Sequence, residues 1–238
     1  MRYQLYYWPS IQGRGEFVRL PLEEAGADYV DVARGPGGET ALLRFLDGSA
    51  LATPPFAPPF LKAGRLVIAQ TADILLYLGP RLKLVPKAEV SRLWAHQLQL
   101  TVADLVAEAH DVHHPIAGSL YYRQQKKEAR RRAVHFTAER LPKYLRYFEA
   151  VLERNPAGDR HMVGRALSYV DLSMFQLIAG LRYAFPRAMA RLARAHRRLA
   201  GLHQRVAERP RIAAYLASAR RLPFSEEGIF RHYPELDA

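Results

Sequence analysis

Gln70 and Thr71 stand where an apolar run, Leu66-Val67-Ile68-Ala69, gives way to a helical pattern that puts Ile74, Leu75 and Leu78 on one face. Thr71 is placed to N-cap that helix, and the unpaired N–H groups of its first turn, at the positive end of the helix dipole, favour an anionic group. The side chains of Gln70 and Thr71 add donors at the same spot. His110, His113 and His114 form a second constellation. Their i, i+3, i+4 spacing can share one helical face and is compatible with metal ligation, yet no fourth ligand accompanies them in sequence, and the reading here is no metal. The chain contains no cysteine. Disulfides, thiolate metal sites and any mechanism in which the protein supplies a thiol are therefore removed, and if sulfur chemistry occurs the ligand brings the sulfur.

These residues need a scaffold, and its elements follow from pattern. Residues 2–8 are aromatic-rich and read as a strand. Arg14 to Ala25 read as a helix closed by Gly26 at C′, with Pro21 inside it, and Tyr29 to Ala33 read as a second strand. Gly35-Pro36-Gly37-Gly38 opens an irregular segment. A hairpin follows, with Lys62-Ala63-Gly64-Arg65 as its turn, and then the helix entered at Gln70-Thr71. The order is βαβ, then ββα, through residue 83. Leu84-Val85-Pro86-Lys87 begins a linker, 84–88, beyond which strand signals vanish. Helices fit Ser91–Ala109, Arg123–Arg154, Asp171–Ala184, Met189–Arg209 and Arg211–Ala219. The fold class is thus α/β followed by all-α, with domains 1–83 and 89–238.

Composition narrows the function. At 238 residues and 49% hydrophobic content the chain can bury a substantial core. No apolar run approaches the roughly 18 residues of a membrane span and the N-terminus lacks a signal-peptide apolar region, so a cytoplasmic protein with no membrane partner is expected. The net charge of +12 suits anionic small molecules. The basic residues are dispersed, however, and the densest group, Lys126-Lys127 with Arg130-Arg131-Arg132, reads as a solvated helix face, so no specific nucleic acid is expected.

The hairpin and helix entry resemble those of the cytosolic glutathione transferases, tyrosine-type and bacterial-like, in Pro59-Phe60-Leu61, Gly64 and Gln70-Thr71. The resemblance extends from Tyr7 to Pro210–Leu216, which looks like the family's last core helix. It implies a thioredoxin-like first domain, a cis peptide bond before Pro59, main-chain pairing of Pro58 with the cysteinyl part of glutathione, and glutathione binding by Pro59, Gln70 and Thr71. Tyr7-Trp8-Pro9 with Gly13-Arg14 is similar to the family's strand end, with one extra loop residue. Tyr7 is the implied thiolate donor, and Ser10 is the serine-type alternative. Tyr6 faces the other side of the strand and reads as filler. Lowering a thiol pKa by about two units takes about 2.7 kcal/mol, within reach of one or two hydrogen bonds to an anion at roughly 1.5–3 kcal/mol each. No metal or cofactor beyond glutathione as co-substrate is needed.

The same resemblance implies that Arg14 steadies the γ-glutamyl end and that Asp104 crosses a homodimer interface to the partner's glutathione ammonium. It also implies an electrophile cleft including Trp8, His114 and Tyr121, with the tail after Pro223 either covering that cleft or packing on the surface. The family's Lys or Trp before the third strand is missing between Asp31 and Phe60, where Arg34 and Arg44 are the only cations, and Arg44 is the substitute for the glycyl carboxylate. Gly164 to Asp171 is similar to the family's central-helix capping box, with Ser168 and Asp171 exchanging hydrogen bonds. The expected activity is conjugation of glutathione to small hydrophobic electrophiles. The alternatives are a non-catalytic binding protein on the same fold, or a glutathione-dependent isomerase or peroxidase.

Overall fold

The computed structural model describes residues 1–48 and 51–237; Ser49, Ala50 and Ala238, assigned above to the two domains, lie outside them. Strand β1 (Tyr3–Tyr6) is central in a four-stranded sheet of order β2-β1-β3-β4. It runs parallel to β2 (Tyr29–Asp31) and antiparallel to β3 (Phe60–Ala63), which a turn at Gly64-Arg65 joins to antiparallel β4 (Leu66–Ala69). The two-residue period of a strand sorts the side chains onto two faces. Tyr3, Leu5, Leu61 and Ala63 pack with Val18 and Leu22 of helix α1 (Glu16–Ala25) and Ile74 and Leu78 of α3 (Thr71–Arg81). Tyr6 and Phe60 point the other way.

That second face is covered by α2 (Gly38–Asp47), which the glycine-rich sequence did not suggest. Leu42 is buried there with Ala41, Phe45 and Leu46 packed around the Tyr6–Phe60 pair. The glycines are needed to bring α2 against the preceding turn, since a Cβ at Gly38 would sit 1.8 Å from the Val32 carbonyl oxygen. Gly26 closes α1 in the left-handed region at φ 62°, and Pro21 lies within that helix.

The rest is helical: α4 (Glu89–His113), α5 (Lys126–His135), α6 (Leu141–Glu153), α7 (Tyr169–Ala184), α8 (Pro186–Leu192), α9 (Arg197–Ala207) and α10 (Pro210–Leu216). Two expected long helices are interrupted. Between α5 and α6 the backbone widens to a π turn at Phe136–Arg140, beside Pro142, which has no amide to give to the ordinary i−4 carbonyl. Met189–Arg209 is broken at His196, whose Nδ1 bonds the Leu192 carbonyl at 2.7 Å. The Glu149 carboxylate then takes the amides of Arg198 and Leu199 at 3.0 and 3.1 Å, starting α9 afresh.

Helix α7 is the buried axis of this layer. Its start is the expected capping box, in which Asp171 Oδ2 accepts from the Ser168 amide at 2.7 Å while the Ser168 side chain serves the third helical amide. Phe17, Leu20 and Leu75 share one core with the helices, so the sheet layer and the helical layer pack continuously. Among the described residues no helix is long and apolar enough to cross a membrane.

Candidate active site

The sheet register aligns three of the expected residues at one edge. Tyr6 pairs with Phe60, and Phe60 pairs with Ala69, so the next residues outward, Tyr7, Pro59 and Gln70, lie side by side at the same end of the sheet. The Pro58-Pro59 bond is cis, as the resemblance implied.

Tyr7 is 3% exposed, and its hydroxyl oxygen accepts from the Arg14 amide at 2.8 Å. Two glycines let the loop close on this phenol: a Cβ at Gly13 would fall 1.9 Å from the hydroxyl, and one at Gly15 2.6 Å from the ring. Arg19 lies with its guanidinium carbon 5.7 Å from the ring centroid, fixed by Asp31 at 2.6 Å and Glu16 at 3.3 Å. Burial pushes the Tyr7 pKa upward, partly offset by the Arg14 amide and the nearby Arg14 and Arg19 charges. A phenol so placed keeps its proton at neutral pH. Its oxygen is engaged by an amide, and its O–H remains able to donate to an anion.

The neighbours sort clearly. Tyr6 stacks on Phe60 with centroids 4.6 Å apart and is filler, as expected. Ser10 is exposed in the following turn, and Trp8 is half-buried against the Tyr6–Phe60 cluster.

Beside this edge a cleft of about 300 Å³ opens between Arg14 and Phe17 on one side, Gln70 to Asp73 on the second, and α4 on the third. Gln70, not Thr71, occupies the N-cap position of α3, because its backbone takes φ 63°, ψ 122°, and Thr71 is already helical. A non-glycine residue with positive φ is a strained choice that tends to occur where a site demands it. The Thr71 hydroxyl is buried without a partner. The α4 wall comes from His96, Gln99, Leu100 and Ala103, an i, i+3, i+4, i+7 stripe, with Val102 and Val106. His96 and Gln99 escaped the sequence reading, although their spacing and their distance from the Gln70 helix could have raised them.

The remaining candidates lie outside that cleft's walls. Asp104 is exposed on α4 next to Ala103, and Arg44 is exposed on α2. Arg34 is engaged by Asp31 at 3.1 Å and by the Arg220 carbonyl. Tyr121 is exposed, with Arg123 over its ring at 5.0 Å. His114 belongs to a cluster in which its Nδ1 is 2.5 Å from His113 Nδ1, while His113 Nε2 donates to the Ile229 carbonyl at 2.7 Å. Burial, helped by Arg231 and the neighbouring imidazoles, drives the pKa of His113 down to about 3 and that of His114 to about 4. Among the described residues no three metal-ligating side chains converge. The tail is anchored at this far end of α4. Tyr233 stacks on Tyr122 at 3.8 Å, and Asp237 caps the start of α8 through the amides of Arg187 and Ala188.

A mixed four-stranded sheet with a cis-proline edge, followed by a helical layer built on a capped central helix, defines a two-layer protein with a thioredoxin-like first part. Residues 110–219 match the family described as glutathione S-transferase, C-terminal domain. The chain is 26% identical over 190 residues to the glutathione S-transferase of Plasmodium falciparum, covering 78% of this chain and 82% of that one. It is also 26% identical to glutathione S-transferase 1 of Ascaris suum, over 94% and 99% of the two chains. Among solved structures, the Pi-class glutathione S-transferase of Onchocerca volvulus superposes with a TM-score of 0.73 at 22% identity, over 96% and 99%. The chain is thus similar to the glutathione S-transferases over most of its length, and its residues 110–219 match their C-terminal domain. These relatives are eukaryotic and lend nothing to the bacterial-like affinity.

Proposed function

We propose that the protein is a glutathione transferase in which Tyr7 donates its hydroxyl hydrogen bond to the glutathione sulfur, holding it as thiolate for attack on a small hydrophobic electrophile. The observation that carries this is the Tyr7 phenol itself: buried, with a raised pKa, its oxygen held by the Arg14 amide and its proton uncommitted at the cis-proline edge. In a dry pocket such a donor contributes roughly 1.5–3 kcal/mol to an anion. Pro58 lies at the same edge to pair with the cysteinyl main chain, and Gln70, Thr71 and Arg14 surround the γ-glutamyl end. Arg44 is the remaining cation for the glycyl carboxylate, and Trp8, His114 and Tyr121 are candidates for the electrophile side. Ser10 is the alternative donor, although its exposure weakens it.

The enzyme works as a homodimer in the cytoplasm, with domains 1–83 and 89–238 joined by 84–88. Supporting the dimer, Val90, Leu93 and Leu100 form an apolar stripe on α4 that is 74%, 64% and 47% exposed, and Asp104 follows on the same side. The test is conjugation to 1-chloro-2,4-dinitrobenzene together with the ultraviolet absorbance of bound thiolate. Tyr7→Phe is expected to lower kcat/KM roughly 10–100-fold and to reduce the thiolate signal, the equivalent of 1.5–3 kcal/mol. Unchanged turnover and signal would remove Tyr7 from the role. Absence of conjugation across a panel of electrophiles would favour the binding-protein alternative.

A further inference from the structure

A second cavity, of about 290 Å³, lies in the helical layer where α6, α7, α8 and α9 meet. It shares no residue with the cleft beside Tyr7. Its walls are largely apolar, built from side chains such as Leu145, Ile178, Met189 and Leu199, and two residues interrupt them, Arg182 and His196. His196 is 5% exposed and stands at the N-cap of α9. Its Nδ1 lies 2.7 Å from the Leu192 carbonyl, which only accepts, so in the neutral ring Nδ1 carries the proton and Nε2 is left with a lone pair. Nε2 is buried and has no partner among the described residues. A buried acceptor is costly to leave unbonded, and this one belongs to a side chain at the wall of an otherwise apolar cavity.

We infer that this cavity binds an uncharged phenol of one or two rings, its hydroxyl donating to His196 Nε2 and its ring system packed against the apolar walls. A single acceptor selects a ligand with a single donor, and the walls disfavour one that carries further polar groups. The volume is at the lower end of small-molecule pockets, which run from roughly 300 to 1,000 Å³, and this limits the ligand to a small ring system. Two lining residues favour an aromatic body over an aliphatic one. The Met189 thioether suits contact with a ring edge, and the Arg182 guanidinium, held at 3.2 Å from His203 Nδ1, is attracted to a ring face. Such a ligand has neither a thiol nor an electrophilic centre, and the assignment does not depend on the transferase reading.

Calorimetric titration of the full chain compares 1-naphthol with 1-methoxynaphthalene, which has the same rings and no O–H, each with and without saturating S-hexylglutathione. Wild type is expected to bind 1-naphthol about tenfold more tightly than the ether, the worth of one hydrogen bond to a buried acceptor, and S-hexylglutathione leaves that affinity unchanged. His196→Leu loses the preference while its affinity for the ether stays within about twofold. His196→Gln, whose amide can donate to Leu192 and still offer an acceptor, retains the preference and guards against a misfolded leucine variant. Ala190→Trp, at an exposed position on the cavity's lining, fills the space and weakens both probes about tenfold or more. Equal wild-type affinities, displacement of 1-naphthol by S-hexylglutathione, a preference that survives His196→Leu, or unaltered binding in Ala190→Trp overturns the assignment.

Discussion

His113 gives the sharpest test of the structure, because its environment forbids a proton. Its Nε2–H is committed to the Ile229 carbonyl, and its Nδ1 lone pair faces His114 Nδ1 at 2.5 Å, so protonation would set one N–H against another. Burial is the largest influence, with Arg231, His110 and His114 adding to it, and the pKa falls from 6.5 to about 3. The folded-state value of this base lies below the unfolded one. The neutral form is therefore the one that the fold accepts: its contribution is intact above pH 6.5 and is lost as pH falls from there towards 3. At pH 5 the unfolded imidazole binds a proton that the folded one refuses, a penalty of about 2 kcal/mol relative to pH 7.5.

In a chain of this size that corresponds to roughly 4–8 °C in Tm. His113→Gln removes the titration, and its amide can still donate to Ile229. Urea unfolding of both proteins at pH 7.5 and pH 5 isolates the effect, since His114 and His203, whose pKa values are also lowered, contribute to both. The variant should lose about 2 kcal/mol less than wild type over that interval. Equal losses would mean that His113 takes up its proton in the folded state and that the tail contact is not closed to it.

Two further outcomes follow from packing. Asp171 accepts from the Ser168 amide and hydroxyl and from the Met162 amide at 2.7–2.8 Å, all buried, so Asp171→Ala strands these donors and should cost roughly 3–5 kcal/mol. Melting curves would read this out, and a variant of normal Tm with lost turnover would refute the structural role. Leu93→Glu places a charge in the exposed α4 stripe and should convert a dimer to monomer in sedimentation velocity, with little change in the monomer's helicity; an unaltered sedimentation coefficient would place any interface elsewhere.

Most of the site's frame was legible in the chain because it is local. The Gly26 cap and the Ser168–Asp171 box each depend on a few neighbouring residues whose chemistry has one common outcome, whereas the cis bond before Pro59 is the minority outcome for X-Pro and was implied only by the family resemblance. Pattern failed where tertiary context decided. The α2 helix hides behind Gly35 to Gly38, and only the apolar back of the sheet, Tyr6 with Phe60, explains why a helix must cover it. The break at His196 depends on Glu149, some fifty residues away, taking the amides that a continuous helix would have used. The cap at Gln70 was misplaced by one residue because a positive φ at glutamine is not a sequence preference at all.

The charge that helps to fix Tyr7 is equally non-local, and it connects the site to the helical layer. Beneath the phenol, Arg19 and Glu16 are both fully buried, an arrangement that costs several kcal/mol in desolvation unless every lone pair and proton is served. Glu16 is served from the far end of the chain, by the Tyr215 hydroxyl at 2.7 Å and by the Arg221 guanidinium, and Arg221 also donates to Gln176 on α7 at 2.9 Å. Gln176 in turn donates to Gln12 in the loop that carries Gly13 and Arg14, at 2.8 Å. The loop that closes on Tyr7 is thus held from two sides, by glycine packing within the first layer and by a polar network from the second. A buried network holds one geometry because any shift strands a charge. The position of the Tyr7 hydroxyl is therefore a property of both layers, and displacement of α10 or of the Arg221 segment would reach the thiolate donor without touching it.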